Sequence, residues 1–199
     1  QTIGILYEGS QAHMTFQRIP LANLINNSDN DLLQQQGAGI GGQPLDIYIV
    51  TGQSNSLGTV DPRDIGHAEP DIGRSGQLIP LFWSNRSSRG GDGKSFIIGD
   101  SGGRFLSLRA QQGEGSHPVF WGPEIGFAQK LADSGQQDFA VIKASRGGGG
   151  NSFWLKGSRD DHMYQHLITT VKEAVSTIPN GRPFRIRAVL YIQGESDSE

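Results

Sequence analysis

The chain contains no cysteine. Disulfides, thiolate catalysis and cysteine-ligated zinc are excluded together, and the redox compartment is left undetermined. An excess of positive charge is also lacking. Lys and Arg number 17 against 20 Asp and Glu, a formal net charge of -3, with a pI near 5.9. That balance removes the electrostatic basis for binding nucleic acid or an anionic membrane. No apolar run approaches the roughly 20 residues of a membrane-spanning helix. The remaining composition, 35% hydrophobic and 19% charged, is ordinary for a globular protein with a real core. The chain opens on Gln1 rather than Met, so a processed or truncated start is expected, with any signal peptide out of view.

What the chain does have is glycine, 29 residues in tight clusters, which implies loops where backbone must bend sharply or approach something closely. Residues 1–43 are rich in Asn, Gln and Gly up to Pro44 and read as a linker or the edge of an upstream module. From Pro44 the pattern alternates. Ile47–Val50, Phe139–Ile142 and Ala188–Ile192 are short apolar runs of the kind buried on both faces of a sheet. Between them stand two helices. One starts at Gly122-Pro123, carries Ile125, Ala128, Leu131 and Ala132 on one face, and stops at Gly135. The other spaces Leu167, Val171, Ala174 and Ile178 by four, three and four, and ends before Pro179. This order implies right-handed crossovers and a parallel sheet. Residues 59–118 are read as a long, partly irregular excursion, with "LIPLFW" (78–83) and "SFIIG" (95–99) as short edge strands.

Each of the three strands runs straight into a polar or glycine-rich knot: "GQSN" after the first, "ASRGGGGN" (144–151) after the second, "QGESD" (193–197) after the third. In open α/β sheets the carboxyl ends of the strands share one edge, where ligands bind. The three knots are therefore expected to converge. The residues suit acyl transfer, which needs a nucleophile with a base and N–H donors aimed at a developing oxyanion. Ser54 is the candidate nucleophile. Its own amide, the amide of Gly147 or Gly148, and the side-chain amide of Gln193 are the candidate donors.

The stretches "GQSNSLG", "GPEIGFAQKLA", "ASRGGGGNSFW" and "AVLYIQGESD" resemble, in order and rough spacing, the sialate O-acetylesterase-like branch of the SGNH hydrolases. That branch includes carbohydrate esterases such as the acetyl xylan esterases. The resemblance covers residues 44–199 apart from the excursion. It implies a three-layer α/β/α fold with a central parallel sheet, SGNH/flavodoxin-like, which would here be truncated after the "QGESD" strand. Ser54 would be the nucleophile and the second-motif glycine would fall on Gly147 or Gly148. Gln193 and Glu195 would sit in the site, with Gln53 and Asn55 organising the serine turn. The side-chain oxyanion donor of other SGNH enzymes falls on Gln193 or Ser196. Trp121, Phe153 and Trp154 flank this region, and Trp154 is a candidate for stacking on a sugar. No metal or cofactor is implied. The substrate class would be an acetylated carbohydrate, with no nucleic acid and no membrane as partner, and an extracellular or cell-surface location is expected.

Two stretches are decoys. "GDSGG" (99–103) looks like the nucleophile segment of chymotrypsin-type proteases, but Ser101 lacks the double β-barrel context. "GDGKS" (91–95) lacks the earlier glycine of a P-loop, whose place Ser88 takes. The base is missing from the motifs. In the resembling family it lies in an Asp-x-x-His motif well past "QGESD", so a further C-terminal segment carrying Asp and His is expected. Asp64-x-x-His67 has the letters but the wrong place; His117 lies near the first helix; His162 and His166 read as surface or cap residues of the second helix; His13 lies in the linker stretch. The reading is a serine-dependent carbohydrate O-acetylesterase. The alternatives are a non-catalytic glycan-binding or structural module lacking the base, and an esterase for lipid or other small acyl substrates.

Overall fold

Three β-branched runs, each flanked by turn residues, build the middle of the sheet. The computed structural model describes residues 2–8, 14–20, 42–61, 63, 78–88, 95–114, 119–156 and 163–197. In chain order its elements are β1 (Thr2–Glu8), β2 (Met14–Pro20), β3 (Leu45–Gly52), α1 (Ser54–Leu57), β4 (Thr59–Val60), β5 (Pro80–Ser88) and β6 (Ser95–Asp100). There follow β7 (Leu106–Ser107), β8 (Gln111–Gln112), β9 (Val119–Phe120), α2 (Pro123–Asp133), β10 (Phe139–Ser145), α3 (Met163–Ser176) and β11 (Phe184–Gln193). The main sheet has the order β2-β1-β11-β3-β10-β5-β6, with β7 paired to β5. Strands β1, β11, β3, β10 and β5 are mutually parallel, while β2, β6 and β7 run antiparallel to their neighbours. The short strands β4, β9 and β8 make a separate three-stranded sheet.

Alternation along β3 shows why its run is continuous. Ile47 and Ile49 enter one core with Ile142, Ile186 and Val189, covered by Ile168, Val171, Ala174 and Val175 of α3. Tyr48 and Val50 enter the other with Val141 and Trp83, covered by Ile125, Ala128 and Ala132 of α2. A strand that must be apolar on both faces cannot alternate with polar residues. The architecture is thus the three-layer α/β/α arrangement with a largely parallel central sheet that the sequence implies. Each buried Ile, Val or Leu contributes roughly 1.5–3 kcal/mol, so the two layers of core fix the register of β3 from both sides.

One region differs from the sequence reading. "LIPLFW" is not an edge strand: Leu81, Phe82 and Trp83 pair in parallel with Val141, Ile142 and Lys143, and β6 forms the outer strand beyond. Residues 82 and 83 are 2% and 4% exposed, a burial that an edge position would not give them. Within residues 1–43, read as linker or upstream module, β1 and β2 form an antiparallel pair and β1 lies along β11.

Candidate active site

β3 lies between β10 and β11, and the order of the strands reverses around it. The crevice of such a sheet opens at the carboxyl end of that strand. The register brings the three knots level: Gly52 at the end of β3 pairs with Ser145 of β10 on one side and Ile192 of β11 on the other. Backbone bonds continue the alignment past the strand ends, from Gln53 N to Ile192 O and from Arg146 N to Gly52 O, each 3.0 Å. Gly52 has φ +135°, and a Cβ there would run into the Ile192 carbonyl. Only glycine lets the chain leave β3 this close to β11.

Ser54 opens α1, a single turn closed by Leu57 N to Gln53 O at 3.1 Å and Gly58 N to Ser54 O at 3.0 Å. Ser54 and Asn55 are exposed, whereas Ser56 is buried and donates its hydroxyl to Gln53 O at 2.6 Å. Of the two serines in "QSNS", only the first therefore faces outward from the turn. Gln53, 3% exposed, points its Oε1 at Gln193 Nε2, 2.8 Å away, and accepts from Ser196 N at 3.3 Å. The same Gln193 amide donates to Gly149 O at 2.9 Å. One side-chain pair thus ties all three knots together.

That arrangement bears on the candidate donors. Gln193 Nε2 faces three acceptors, Gln53 Oε1 and Gly149 O at the distances above and Asp197 Oδ2 at 3.4 Å, so in this arrangement its two amide hydrogens brace the knots. The Gly147 amide donates to Arg86 O at 3.0 Å. Gly148, with φ +66°, is the glycine of the pair whose amide the sheet does not occupy. Arg146, 3% exposed, holds this loop: its Nη1 donates to Gly147 O at 3.1 Å and to Gly148 O, and its guanidinium stacks 4.3 Å above the Phe153 ring. Reading "ASRGGGGN" for its glycines alone misses this arginine.

Asp197 locks the third knot to the second. It accepts from Asn151 N through both oxygens, at 2.9 and 3.0 Å, and from Asn151 Nδ2 at 2.8 Å. Asn151 Oδ1 in turn accepts the Tyr191 hydroxyl at 2.8 Å. Burial, and then the Asp197 charge, push the Tyr191 phenol above its ordinary range. Trp154 packs edge-on against Tyr191, with ring centroids 5.6 Å apart, half-buried beside exposed Leu155. Trp121 instead packs into the α2 core. Glu195 opens the 3₁₀ turn Glu195–Asp197; its side chain lies outside the described residues.

Under α1 sits a group that periodicity does not reveal. Lys143 of β10 and Glu124 of α2, both fully buried, form an ion pair at 2.9 Å, with Gln111 between them. Burial pulls the Lys143 ammonium below its ordinary range while Glu124 opposes the shift.

Of the histidines, His13, His67, His117 and His162 lie outside the described residues, as does Asp64. His166 of α3 is half-buried with Nε2 3.0 Å from the Ser84 carbonyl, an acceptor that makes this nitrogen a donor. The decoy Ser101 is 3% exposed, with its amide on Trp83 O at 3.0 Å, so it is no surface nucleophile.

Residues 108–199 match the family described as carbohydrate esterase, sialic acid-specific acetylesterase. The likeness drawn from "GPEIGFAQKLA", "ASRGGGGNSFW" and "AVLYIQGESD" is borne out over that segment. No curated protein matches the chain by sequence. Two solved structures are similar to it: a protein of Arabidopsis thaliana, 17% identical over 77% of this chain with a TM-score of 0.42, and NanS, 17% identical over 79% with a TM-score of 0.38. The chain spans 59% and 56% of the length of those two proteins.

Proposed function

From a chain that matches a carbohydrate esterase family over residues 108–199, we propose a serine-dependent hydrolase that removes O-acetyl groups from carbohydrates, with Ser54 as nucleophile. The observation that carries the proposal is the closure of three strand-end knots around an outward-facing serine by the Gln53–Gln193–Gly149 bridge. Ser54 Oγ attacks the acetyl carbonyl, and its proton passes to a general base. The tetrahedral oxyanion is held by the amides of Ser54 and Gly148, a contribution of the kind that costs about 10²–10³ in rate when one donor is lost. Collapse releases the sugar hydroxyl with that proton and leaves an acetyl-serine, which water hydrolyses by the same steps in reverse order. The base is proposed to be a histidine from an Asp-x-x-His segment downstream of Glu199. Trp154 is proposed to contact the sugar.

The test is hydrolysis of 4-nitrophenyl acetate and of O-acetylated sialic acid or xylan by the full-length protein and by Ser54→Ala. A fall of about 10⁴-fold or more is expected in the variant, with unchanged thermal stability. Glycan binding that survives in a wild type with no Ser54-dependent turnover would replace the esterase with a binding module.

A further inference from the structure

A one-turn helix cannot hold itself together in water, because nucleation fixes several dihedral angles for very few hydrogen bonds. α1, which carries Ser54, must therefore be held from outside. At its first turn the hold is Gln53, already described. At its other end it is Lys143. The Lys143 ammonium donates to Leu57 O at 2.8 Å and to Gln111 Oε1 at 3.0 Å, and it is ion-paired with Glu124 Oε2 2.9 Å away. Glu124 Oε1 accepts in turn from Gln111 Nε2 at 2.6 Å and Gly122 N at 3.1 Å. The chain packs tightly over this cluster, since a Cβ on Gly122 would lie 2.7 Å from Lys143 Nζ. Trp121 N also donates to Gly58 O at 2.7 Å, stitching the residue after α1 to the segment that opens α2.

Stability alone does not call for an ion pair here. A buried pair replaced as a whole by hydrocarbon of similar volume is commonly as stable or more so. What hydrocarbon cannot do is bond the carbonyl of Leu57. We propose that Lys143, oriented by Glu124 and Gln111, is a positioning residue that fixes the carboxyl end of α1 through Leu57 and thereby sets the place of the Ser54 hydroxyl. The inference rests on the hydrolase reading of Ser54. A displacement of about 1 Å in such a group is enough to lose on the order of 10²-fold in rate.

The experiment compares Lys143→Met with the double variant Lys143→Met/Glu124→Met in the full chain. The single variant leaves Glu124 buried and alone, so it loses both thermal stability and turnover. The double variant regains most of the stability, yet its kcat stays about 10–100-fold low with KM within twofold of wild type. Recovery of wild-type kcat along with stability would overturn the proposal and leave the cluster a packing device. A second readout is independent of the reaction: amide hydrogen exchange at Leu57 and Gly58 rises at least about tenfold in the double variant, and unchanged exchange overturns the proposal. If the wild type shows no Ser54-dependent turnover, the hydrolase reading fails and the exchange result still decides the role of Lys143. Where the double variant does not fold, Gln111→Leu takes its place. It removes one tether and leaves the ion pair, with several-fold faster exchange at the same amides expected and no change overturning the proposal.

Discussion

Opposite edges of the central sheet both carry ion pairs, in very different surroundings. At the amino-terminal edge of β3 and β11, Arg182 pairs with Asp138, side chains 33% and 50% exposed, and Arg185 pairs with Asp46 at 2.7 Å, 44% and 7% exposed. At the carboxyl edge, beneath the serine turn, Lys143 and Glu124 are both at 0%. The chemistry is alike; the desolvation is not. Water can take over either partner of an exposed pair, so its removal changes little. A fully buried pair holds as a unit, because deleting one member strands the other without water. The contrast teaches where the molecule tolerates a costly arrangement: beside the turn that carries Ser54, and not at the far edge.

If burial sets the scale, three neutralising substitutions should rank by exposure. Lys143→Met comes first, with a loss of about 3–5 kcal/mol in urea unfolding; a loss under about 1 kcal/mol would break the comparison, since it would mean Glu124 finds water or a proton at no cost. Asp46→Asn comes second. Its carboxylate accepts from Arg185 Nε at 2.8 Å and lies 3.6 Å from Arg187, but both arginines are nearly half-exposed. A loss of about 1–2 kcal/mol is expected, less than a fully buried charged hydrogen bond would give. A loss equal to that of Lys143→Met would show that partner exposure does not matter.

How much of this was legible in the sequence follows from the same distinction. The strands around β3 were readable because both faces are dry, which forces uninterrupted β-branched runs. The site could be located because knots at the ends of parallel strands must share an edge. β5 is only partly legible because its apolar run stops at Trp83, while the strand continues through Ser84, Asn85, Arg86 and Ser87. Asn85 and Ser87 are buried there, so polarity did not mean exposure. The apolar run Phe139–Ile142 likewise stops one residue before Lys143, and Glu124 looks like an ordinary first-turn acid answering the helix dipole. Nothing in spacing links residues 124 and 143, which meet only because α2 packs on β10. Gly147 and Gly148 are identical as letters, and only the bond from Gly147 N to Arg86 O tells them apart. Asp64, His67 and His117 fall outside the described residues.

Asp138→Asn ranks last and sharpens the comparison from the exposed side. Arg182 donates to both oxygens of Asp138, at 2.8 Å to Oδ1 and again to Oδ2, and to the Gln43 carbonyl at 3.0 and 2.8 Å. These bonds hold the Asp138 carboxyl below its ordinary value of 3.8. A carboxyl with a lowered folded pKa binds fewer protons folded than unfolded, so its stabilisation is complete above the ordinary value and is lost as pH falls through the lowered one. With half the carboxylate in water and the pair screened by salt, that stabilisation is discounted to about 0.5 kcal/mol or less. The expected result is a near-neutral change at pH 7 and a slightly flatter acid limb below about pH 4, read by urea unfolding at low and high salt. A loss at pH 7 comparable to that of Lys143→Met, insensitive to salt, would mean that the bidentate geometry of Arg182 and not burial governs these pairs, and the ranking would have to be rebuilt on hydrogen-bond count.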